Sequence, residues 1–496
     1  MRWFIPFCPI CFVTAGVCLN IIGHGAIVGF TAFLIPGLRR PESHIKTTVA
    51  DESSIASIVG IALIVGNLTM TALMSTIGRK KSHILTIFPV LVGWFLIFLA
   101  NSVRTLVIAR FLQGLSMGMH GPLGSVIVAE MTHPANRGAF LSCISLSLAI
   151  GTFVCHTIGA YLTWQMSALA LSLIPTGSLI LILFAPESPP WLISQGRYDE
   201  ATKVFYWLRG RTEEEVAELE RLITAQTMLK SSTVTGLKVS FCTRIRRAFR
   251  YLVETFKKPE FYKPVSIMFL MYSSFQFSGN NVLNAYALDI IRQVVGPEAN
   301  AKMLLVAMDV DRIIFNIIAV FLMRKLKRRT VLFGSGLIVV SCYFTKGAFV
   351  YAKNAGMLPS AMQGQWFPIM VMGIYVSMSV GLSVMPFTIS GEIFPLEYRG
   401  LAGGISALPL AVNFFLAVKC FPILNVNIGL PLTYLLYGSV VSCGLVLLFF
   451  TLPETKDKTL QEIEDKFRGL TAEDRKAAEL PEKEEMLRKN SSGIDV

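Results

Sequence analysis

Two short charged motifs each occur twice in this chain, in the same order and about 260 residues apart. The first is a glutamate followed, after six residues, by Arg-Gly, and its copies are Glu130–Gly138 and Glu392–Gly400. The second is Pro-Glu followed by Ser or Thr, and its copies are Pro186–Ser188 and Pro453–Thr455. Apolar sequence surrounds all four segments. The chain is therefore predicted to fold as two copies of one helical membrane unit, an arrangement typical of proteins in which one half rocks against the other.

The composition fits a membrane protein better than a soluble one. Of the 496 residues, 53% are hydrophobic and 16% are charged, and the mean hydropathy is +0.58. A soluble chain of this length would need a more charged surface. Apolar stretches long enough to cross a bilayer occur in two sets of six. The first set lies near 9–35, 54–77, 83–101, 103–127, 138–160 and 165–185, and the second near 265–291, 302–323, 331–352, 367–391, 400–423 and 429–452.

The net charge of +13 is interpreted as a sign of topology, not of nucleic-acid binding. Most Lys and Arg residues fall in the linker 186–264, in the tail after 453 and in short loops such as 79–81 and 324–329. These segments all lie on one side when the stretches are counted as spans, which is the positive-inside pattern. Both termini are then predicted to be cytoplasmic. A signal peptide is the disfavoured alternative for the first stretch, because the stretch is too long and only Arg2 precedes it.

The predicted fold class is an all-α membrane protein with twelve transmembrane helices in two six-helix bundles. The first bundle covers 1–185 and the second covers 265–452. Between them, the cytoplasmic linker 186–264 has the periodic apolar and charged residues of short amphipathic helices. The cytoplasmic tail 453–496 is predicted to be partly disordered. The nine cysteines lie mainly inside apolar stretches, so neither a disulfide framework nor a metal site is predicted.

Several longer motifs resemble one protein family. Pro186–Leu192 and Pro453–Ile463 resemble the segments that close the two halves of sugar porters in the major facilitator superfamily. Further matches to the family follow in order, and the resemblance covers roughly residues 10 to 468. Within the family, the chain is most similar to insect-type facilitated trehalose and hexose carriers. The other matching segments are Gly78–Lys80, Arg110–Gly114, Glu130–Gly138, Phe275–Asn281, Gly391–Pro395 and Lys419–Pro422.

The resemblance implies a membrane carrier that moves a small sugar, trehalose or a hexose, by alternating access. It also implies a location in the plasma membrane, contact with membrane lipid, no enzymatic activity and no cofactor. The sequence gives no oligomeric state. No P-loop, dinucleotide fingerprint or HExxH motif is present, which also argues against an ATP-driven pump. A sensor that binds a sugar without transporting it, and a carrier of another small solute, are the alternatives.

Charged residues near the predicted cytoplasmic ends of the spans are candidates for a gate. Such ends approach and separate as the cytoplasmic side closes and opens, so their ion pairs can bias a two-state equilibrium. The alternative is that they only fix the topology. Two positions depart from the family pattern, Ser75 in the first half and Met323 in the second. The predicted gating set is Arg79, Glu130, Arg137, Glu187, Arg324, Arg328, Glu392, Arg399 and Glu454.

The seventh span carries the predicted binding site. Seven polar side chains fall within residues 273–284, and such a density is costly against lipid, so the group is expected to face a water-filled cavity. Gln276, Asn280 and Asn284 are four residues apart and would share one helical face. Gly279 allows the helix to break, as helices at carrier sites do. Amides donate and accept hydrogen bonds, as neutral polyols require. Hydrogen bonding between helices is the alternative role.

The resemblance places Gln276 and Asn281 at family sugar contacts and shows that other contacts are altered. Phe275 stands where the family has a glutamine, and Ser145 replaces a glutamine of the fifth span. Phe387 replaces a tryptophan of the tenth span, and Leu410–Ala411 replaces an Asn-Trp pair. The pocket is therefore expected to be more apolar than a standard hexose site, with a sugar still the leading substrate.

Facilitated diffusion is the predicted mode of transport. Proton-coupled carriers need an ionisable carboxylate within the membrane, and the first span has neither Asp nor Glu. Proton coupling through Asp309 or Asp311 is the alternative, although Asp309 and Arg312 are spaced to pair on one helical face. Lone histidines in spans usually form structural hydrogen bonds, which is the role expected of His24 and His156.

Overall fold

The computed structural model describes residues 7–132, 134–233, 250, 254–394, 399–456, 458 and 460–468. Within these ranges the regular structure is helical, without strands. The first part contains α1 (Phe7–Gly29), α2 (Thr31–Leu38), α3 (Val49–Ile77), α4 (Arg79–Phe98), α5 (Val103–Met131), α6 (Pro134–Tyr161) and α7 (Trp164–Phe184). Three further helices follow, α8 (Pro189–Ser194), α9 (Tyr198–Arg209) and α10 (Glu213–Thr233).

The second part repeats the pattern of the first. It contains α11 (Pro259–Phe277), α12 (Asn280–Val294), α13 (Ala301–Lys325), α14 (Arg328–Asn354), α15 (Trp366–Ile393), α16 (Arg399–Thr451) and the short α17 (Leu460–Arg468). The predicted tail beyond residue 468 lies outside the described residues.

Eight described helical stretches are long and apolar enough to cross a membrane. The last of them, Gly404–Thr451, has 48 residues and bends at Gly429, so it is long enough for two crossings. Helices α5 and α13 also have spanning length, but the charged side chains inside them make them less apolar. The α11–α12 pair is interrupted in its middle. Counted by length, the segments are compatible with the predicted twelve spans, and the chain is a multi-pass all-α membrane protein.

The outer surface of the helices is apolar. Leu173 is 70% exposed, Phe184 is 77% exposed and Phe450 is 80% exposed. Large apolar side chains at this exposure would make a soluble protein prone to aggregation, whereas lipid solvates them. Polar side chains such as Gln113 and His83 are instead buried between helices. This inverted distribution follows from the bilayer as solvent.

Glycines allow the closest helix contacts. At Gly25 of α1, an added Cβ would lie 2.1 Å from the Leu148 carbonyl oxygen, and at Gly151 of α6 it would lie 2.0 Å from the Ile22 carbonyl oxygen. No side chain fits at such distances, so the two backbones touch directly. Small residues at helix crossings are how membrane helices approach closely without a hydrophobic driving force.

Helices α1–α7 pack into one half and α11–α16 into the other, with α8–α10 between them in the chain. The halves meet where α3 packs on α16, α6 on α13 and α2 on α12. Trp191 of α8 donates from its indole Nε1 to the Ser75 carbonyl oxygen at the end of α3 (3.2 Å). We call the ends of the bundles that carry α8–α10 the linker face, and the other ends the opposite face.

Candidate functional site

The seventh span is broken at Gly279. Helix α11 ends at Phe277 and α12 begins at Asn280, with Gly279 between them in the left-handed region (φ +77°). A Cβ at this position would lie 1.9 Å from the Tyr343 hydroxyl oxygen. Both the dihedral angle and the tyrosine therefore require glycine. The break expected from the sequence is present.

Amide side chains meet across this break. Asn281 donates from Nδ2 to the Gln276 Oε1 (2.7 Å), and Gln276 donates from Nε2 to the Leu410 carbonyl oxygen (3.3 Å). Asn284 accepts a hydrogen bond at Oδ1 from the Arg312 Nη1 (2.6 Å). The Oδ1 of Asn280 is buried and has no hydrogen-bond partner among the described residues. The site thus combines one preformed amide pair with one unused acceptor.

Two expectations about the seventh span are wrong. Gln276 does not share a helical face with Asn280 and Asn284, because the left-handed Gly279 separates α11 from α12. The seven polar side chains also do not all face an open cavity. Ser273, Asn280 and Asn281 are partly exposed, whereas the others are buried against the protein. The buried members are Ser274, Gln276, Ser278 and Asn284.

The residues that replace the family's sugar contacts make two kinds of contact, one between aromatic rings and one between the halves. The Phe275 and Phe387 rings lie edge to face, 6.1 Å apart, and Tyr272 makes a similar contact with Phe387. Ser145 of α6 donates to the Asn316 Oδ1 of α13 (3.3 Å). Phe275 and Phe387 therefore meet next to Gln276, while Ser145 contacts the other half.

A buried lysine behind the break was not anticipated from the sequence. Lys346 Nζ lies 3.5 Å from the centroid of the Tyr375 ring, and the Tyr343 and Tyr434 rings are 4.6 and 4.9 Å away. Tyr375 donates to the Ser278 carbonyl oxygen (2.5 Å) at the end of α11. Cation–π contacts of this kind compensate in part for burying an ammonium group. The lone lysine within an apolar stretch was the signal that could have found this group.

At the linker face, the first half holds a compact charge cluster. Arg79 donates from Nε and Nη2 to the two carboxylate oxygens of Glu130 (2.9 and 2.7 Å). The Glu187 Oε1 accepts from the backbone N–H groups of Arg79 (2.8 Å) and Lys80 (3.1 Å) at the start of α4. Ser188 donates its hydroxyl to Glu130. A carboxylate at a helix N-terminus is favourable for the helix dipole.

The second half holds the same cluster. Arg328 donates from Nε and Nη2 to Glu392 (3.4 and 2.9 Å), and Thr455 donates its hydroxyl to the same carboxylate (2.6 Å). Glu454 accepts from the backbone N–H groups of Arg328 (3.0 Å) and Arg329 (3.1 Å). Burial raises the pKa of Glu454, but backbone hydrogen bonds outweigh it and hold the pKa below its usual value.

Each described ion pair of these clusters joins helices of one half. Arg79–Glu130 connects α4 to α5, and Arg328–Glu392 connects α14 to α15. The side chains of the other predicted gating residues, Arg137, Arg324 and Arg399, lie outside the described residues. Any gating by the described pairs would therefore act through the shape of each half.

Direct contacts between the halves lie at the opposite face and at the centre. In this structure, the halves are thus closed together on the side away from α8–α10. The pairs are Arg39–Asp289 (2.9 Å), Lys419–Ser54 (2.7 Å), Lys302–Ala160 carbonyl (2.6 Å), His156–Asp309 (2.5 Å) and Ser145–Asn316 (3.3 Å).

The candidate coupling residues differ in their surroundings. The Asp309–Arg312 pair expected from the spacing is present (3.2 Å). Asp311 instead accepts from the Ser377 hydroxyl (2.8 Å) and lines an apolar cavity of about 240 Å³ between α12, α13 and α15. His24 contacts the Ser116 hydroxyl (3.3 Å), a structural bond within the first half. His156, in contrast, bonds Asp309 across the halves.

Comparison with known proteins identifies the family to which a chain with this architecture belongs. The family model for "Sugar (and other) transporter" matches residues 10–467, nearly the whole chain. The chain belongs to the sugar transporter family. The broken seventh span and the duplicated charge clusters therefore occur in a member of a transporter family.

Two insect relatives are similar over most of the chain. "Facilitated trehalose transporter Tret1" of Apis mellifera ligustica is 29% identical over 419 residues, which cover 84% of this chain and 79% of that protein. The protein of the same name from Aedes aegypti is 28% identical over 460 residues, 91% of this chain and 54% of the relative. The chain therefore spans only about half of the mosquito protein.

Solved structures of an Escherichia coli protein have the same fold. The inward open conformation of the xylose transporter XylE has a TM-score of 0.71 at 18% identity, covering 92% of this chain and 99% of XylE. The proton:xylose symporter XylE bound to 6-bromo-6-deoxy-D-glucose has a TM-score of 0.68 at 18% identity, covering 94% and 100%. The fold of this family member is therefore that of the major facilitator superfamily.

Proposed function

We propose that this protein carries a small neutral sugar, trehalose or a hexose, across the plasma membrane by facilitated diffusion. The bundles 1–185 and 265–452 would rock about the central site, with both termini in the cytoplasm and the linker 186–264 on that side. Membership of the sugar transporter family and the two relatives named as trehalose transporters support a sugar as the substrate.

The amide pair at the helix break is the observation that carries this proposal. Gln276 and Asn281 bond each other, and a sugar hydroxyl can replace that bond because it donates and accepts as an amide does. Asn280 offers a buried acceptor with no partner in the described part of the chain. The edge-to-face contact of Phe275 and Phe387 would supply apolar surface for the face of a sugar ring.

Alternating access is supported by where the halves touch. Their described contacts lie at the opposite face and the centre, so a route to the site would open from the linker face. The charge clusters would hold the helix ends of each half in one shape during the movement. In this role we include Arg79, Glu130, Arg137, Glu187, Arg324, Arg328, Glu392, Arg399 and Glu454.

Facilitated diffusion is favoured over proton coupling by the state of the candidate carboxylates. Asp309 contacts both a histidine and an arginine, so an ion pair already engages it. Asp311 lies in an apolar cavity away from the amides. The first span contributes no carboxylate.

The test is counterflow of radiolabelled sugars in proteoliposomes, with trehalose, glucose and charged solutes as competitors. Gln276→Ala and Asn281→Ala should each raise KM about tenfold, the effect of losing one good hydrogen bond in a desolvated site. Asn425→Ala is the matched control, because this amide bonds Gln293 at 3.4 Å near the opposite face. It should leave KM unchanged.

Four results would contradict the proposal. Sugar binding without counterflow would identify a sensor. Counterflow of another solute, with no competition by sugars, would identify a different carrier. Sugar accumulation driven by an imposed pH gradient would replace facilitated diffusion with proton coupling. Unchanged KM in both alanine variants would remove the amides from the site.

A further inference from the structure

A buried polar chain joins the two halves at the centre of the molecule. His156 of α6 contacts Asp309 of α13 through Nδ1 and Oδ2 (2.5 Å), and their side chains are 0% and 1% exposed. Among the described residues, the Ser145–Asn316 and Lys302–Ala160 hydrogen bonds also join α6 to α13. Breaking a buried hydrogen-bonded contact is costly because it leaves polar groups unpaired in a low-dielectric environment. The contact therefore favours the state in which the halves are joined here.

The histidine is bonded on both ring nitrogens. Its Nε2 lies 3.2 Å from the Gly29 carbonyl oxygen, which can only accept, so Nε2 carries a hydrogen. Its Nδ1 faces the Asp309 Oδ2. The ring is thus held by α1 on one side and by Asp309 on the other. Because α1 belongs to the first half, the ring stays with that half when α13 moves away.

The other oxygen of Asp309 connects to the sugar site. Asp309 Oδ1 accepts from the Arg312 Nη1 (3.2 Å), and the same Nη1 donates to Asn284 Oδ1 (2.6 Å). One guanidinium nitrogen is therefore shared between Asp309 and an amide of the seventh span. An arginine binds a carboxylate most strongly with two parallel hydrogen bonds. Arg312 gives Asp309 only one, through the Nη1 that it shares with Asn284, and its Nε is buried without a partner among the described residues, so a second bond to Asp309 is open to it.

We propose that Asp309 is a positioning residue whose carboxylate leaves His156 and binds Arg312 with both oxygens when a sugar binds to Asn284. A sugar hydroxyl bonded to Asn284 releases the guanidinium, which then takes both oxygens of Asp309. His156 loses its partner, the contact between the halves breaks, and the opposite face opens. The inference rests on the proposed function, since it requires a sugar at the seventh span.

Opening of the opposite face can be followed by cysteine labelling. Ser54 bonds Lys419 between the halves at this face, so a single cysteine there, in a background without the native cysteines, reports opening. The rate of reaction with a membrane-impermeant maleimide is measured with and without trehalose or glucose. In the parent protein, a sugar that binds should raise the rate about fivefold, within the usual range of coupling between sites.

His156→Gln should raise the rate of maleimide labelling without sugar about tenfold and abolish the response to sugar, because opening of the opposite face no longer depends on the His156–Asp309 contact. Lys302→Met is the matched control. It also removes a contact between the halves, the bond to the Ala160 carbonyl (2.6 Å), but lies outside the chain of side chains. It should therefore retain the fivefold sugar response. Equal sugar responses in the two variants would show that His156 is only a structural contact and overturn the inference.

Arg312→Lys provides a second variant that preserves every charge, in case His156→Gln does not fold. Lysine cannot bind both carboxylate oxygens in parallel, so sugar should still bind but no longer open the face. Sugar binding is measured separately by calorimetry. A parent protein that binds no sugar would overturn both the function and this inference. A parent that binds sugar, with Arg312→Lys still responding normally, would overturn this inference alone.

Discussion

The two halves are nearly identical at the linker face and different in their interiors. Arg79 and Arg328 each bond a glutamate with Nε and Nη2, and each bonds a methionine carbonyl with Nη1. Glu187 caps the start of α4 and Glu454 caps the start of α14 through backbone N–H groups. The duplication is thus preserved atom by atom at the linker face.

The interiors have diverged. In the first half, Asn20 Nδ2 contacts His83 Nε2 and His120 Nδ1 (both 3.1 Å), and the His24 and His120 rings are tilted to each other with centroids 5.2 Å apart. In the second half, Lys346 occupies a cage of tyrosines. Neither group has a counterpart of similar chemistry in the other half among the described residues.

The first span of each half shows the same contrast. Between α1 and α2 the chain turns at Phe30 with helical angles (φ −60°, ψ −34°), whereas Gly279 between α11 and α12 is left-handed (φ +77°). Of the two described breaks, only the one in the second half has a left-handed residue, with amide side chains on both sides of it. On the proposed function, the repeat would supply the moving frame, while substrate contacts would belong mainly to the second half.

The largest expected effect comes from making the seventh span resemble the first. Gly279→Ala should lower the free energy of unfolding by about 2–4 kcal/mol, because the methyl group meets the Tyr343 hydroxyl and the residue keeps a positive φ. Thermal unfolding in detergent measures the change.

Two variants separate the causes. Gly356→Ala also has positive φ (+67°) but no atom within 4 Å, so it should cost only about 1 kcal/mol. Adding Tyr343→Phe to Gly279→Ala removes the hydroxyl and should recover part of the loss. No recovery would mean that the tyrosine does not enforce the break.

The next effect tests whether the two charge clusters are equivalent. Arg79→Ala and Arg328→Ala should each destabilise the protein by about 1–3 kcal/mol, since each leaves a partly buried glutamate without its arginine. Lys81→Ala, an exposed neighbour with the same change of charge, should have an effect near zero. Thermal unfolding of the three proteins compares them. A difference above about 2 kcal/mol between the two arginine variants would contradict the equivalence.

The smallest effect concerns pH. The folded-state pKa of Glu454 lies below its ordinary value, so its stabilisation is present above about pH 4.3 and is lost as the pH falls through the folded-state pKa. Glu454→Gln should therefore cost up to about 1 kcal/mol at pH 7 and almost nothing near pH 3. Glu42→Gln, at an exposed site, is the control. A penalty independent of pH would indicate lost packing instead of lost charge.

Local patterns in the sequence were sufficient for the helices, their duplication and the family. The apolar stretches predicted the spans because the bilayer requires about twenty apolar residues per crossing. The Asp309–Arg312 pair followed from a spacing of three residues, which places side chains on one face of a helix. Gly279 was recognised as a break because glycine permits backbone angles that other residues do not.

Contacts between distant segments were decided only by the tertiary structure. Gln276 and Asn284 could not be assigned to different helices without the angle at Gly279, and His156 could not be matched with Asp309 across 153 positions. The sequence shows Lys346 only as a lone lysine in an apolar stretch, whereas the tertiary structure shows the three tyrosine rings around it. Periodicity and spacing report interactions within a helix, where the geometry is fixed by the backbone. Which helices meet depends on the packing of the whole bundle, and that information is spread over the entire chain.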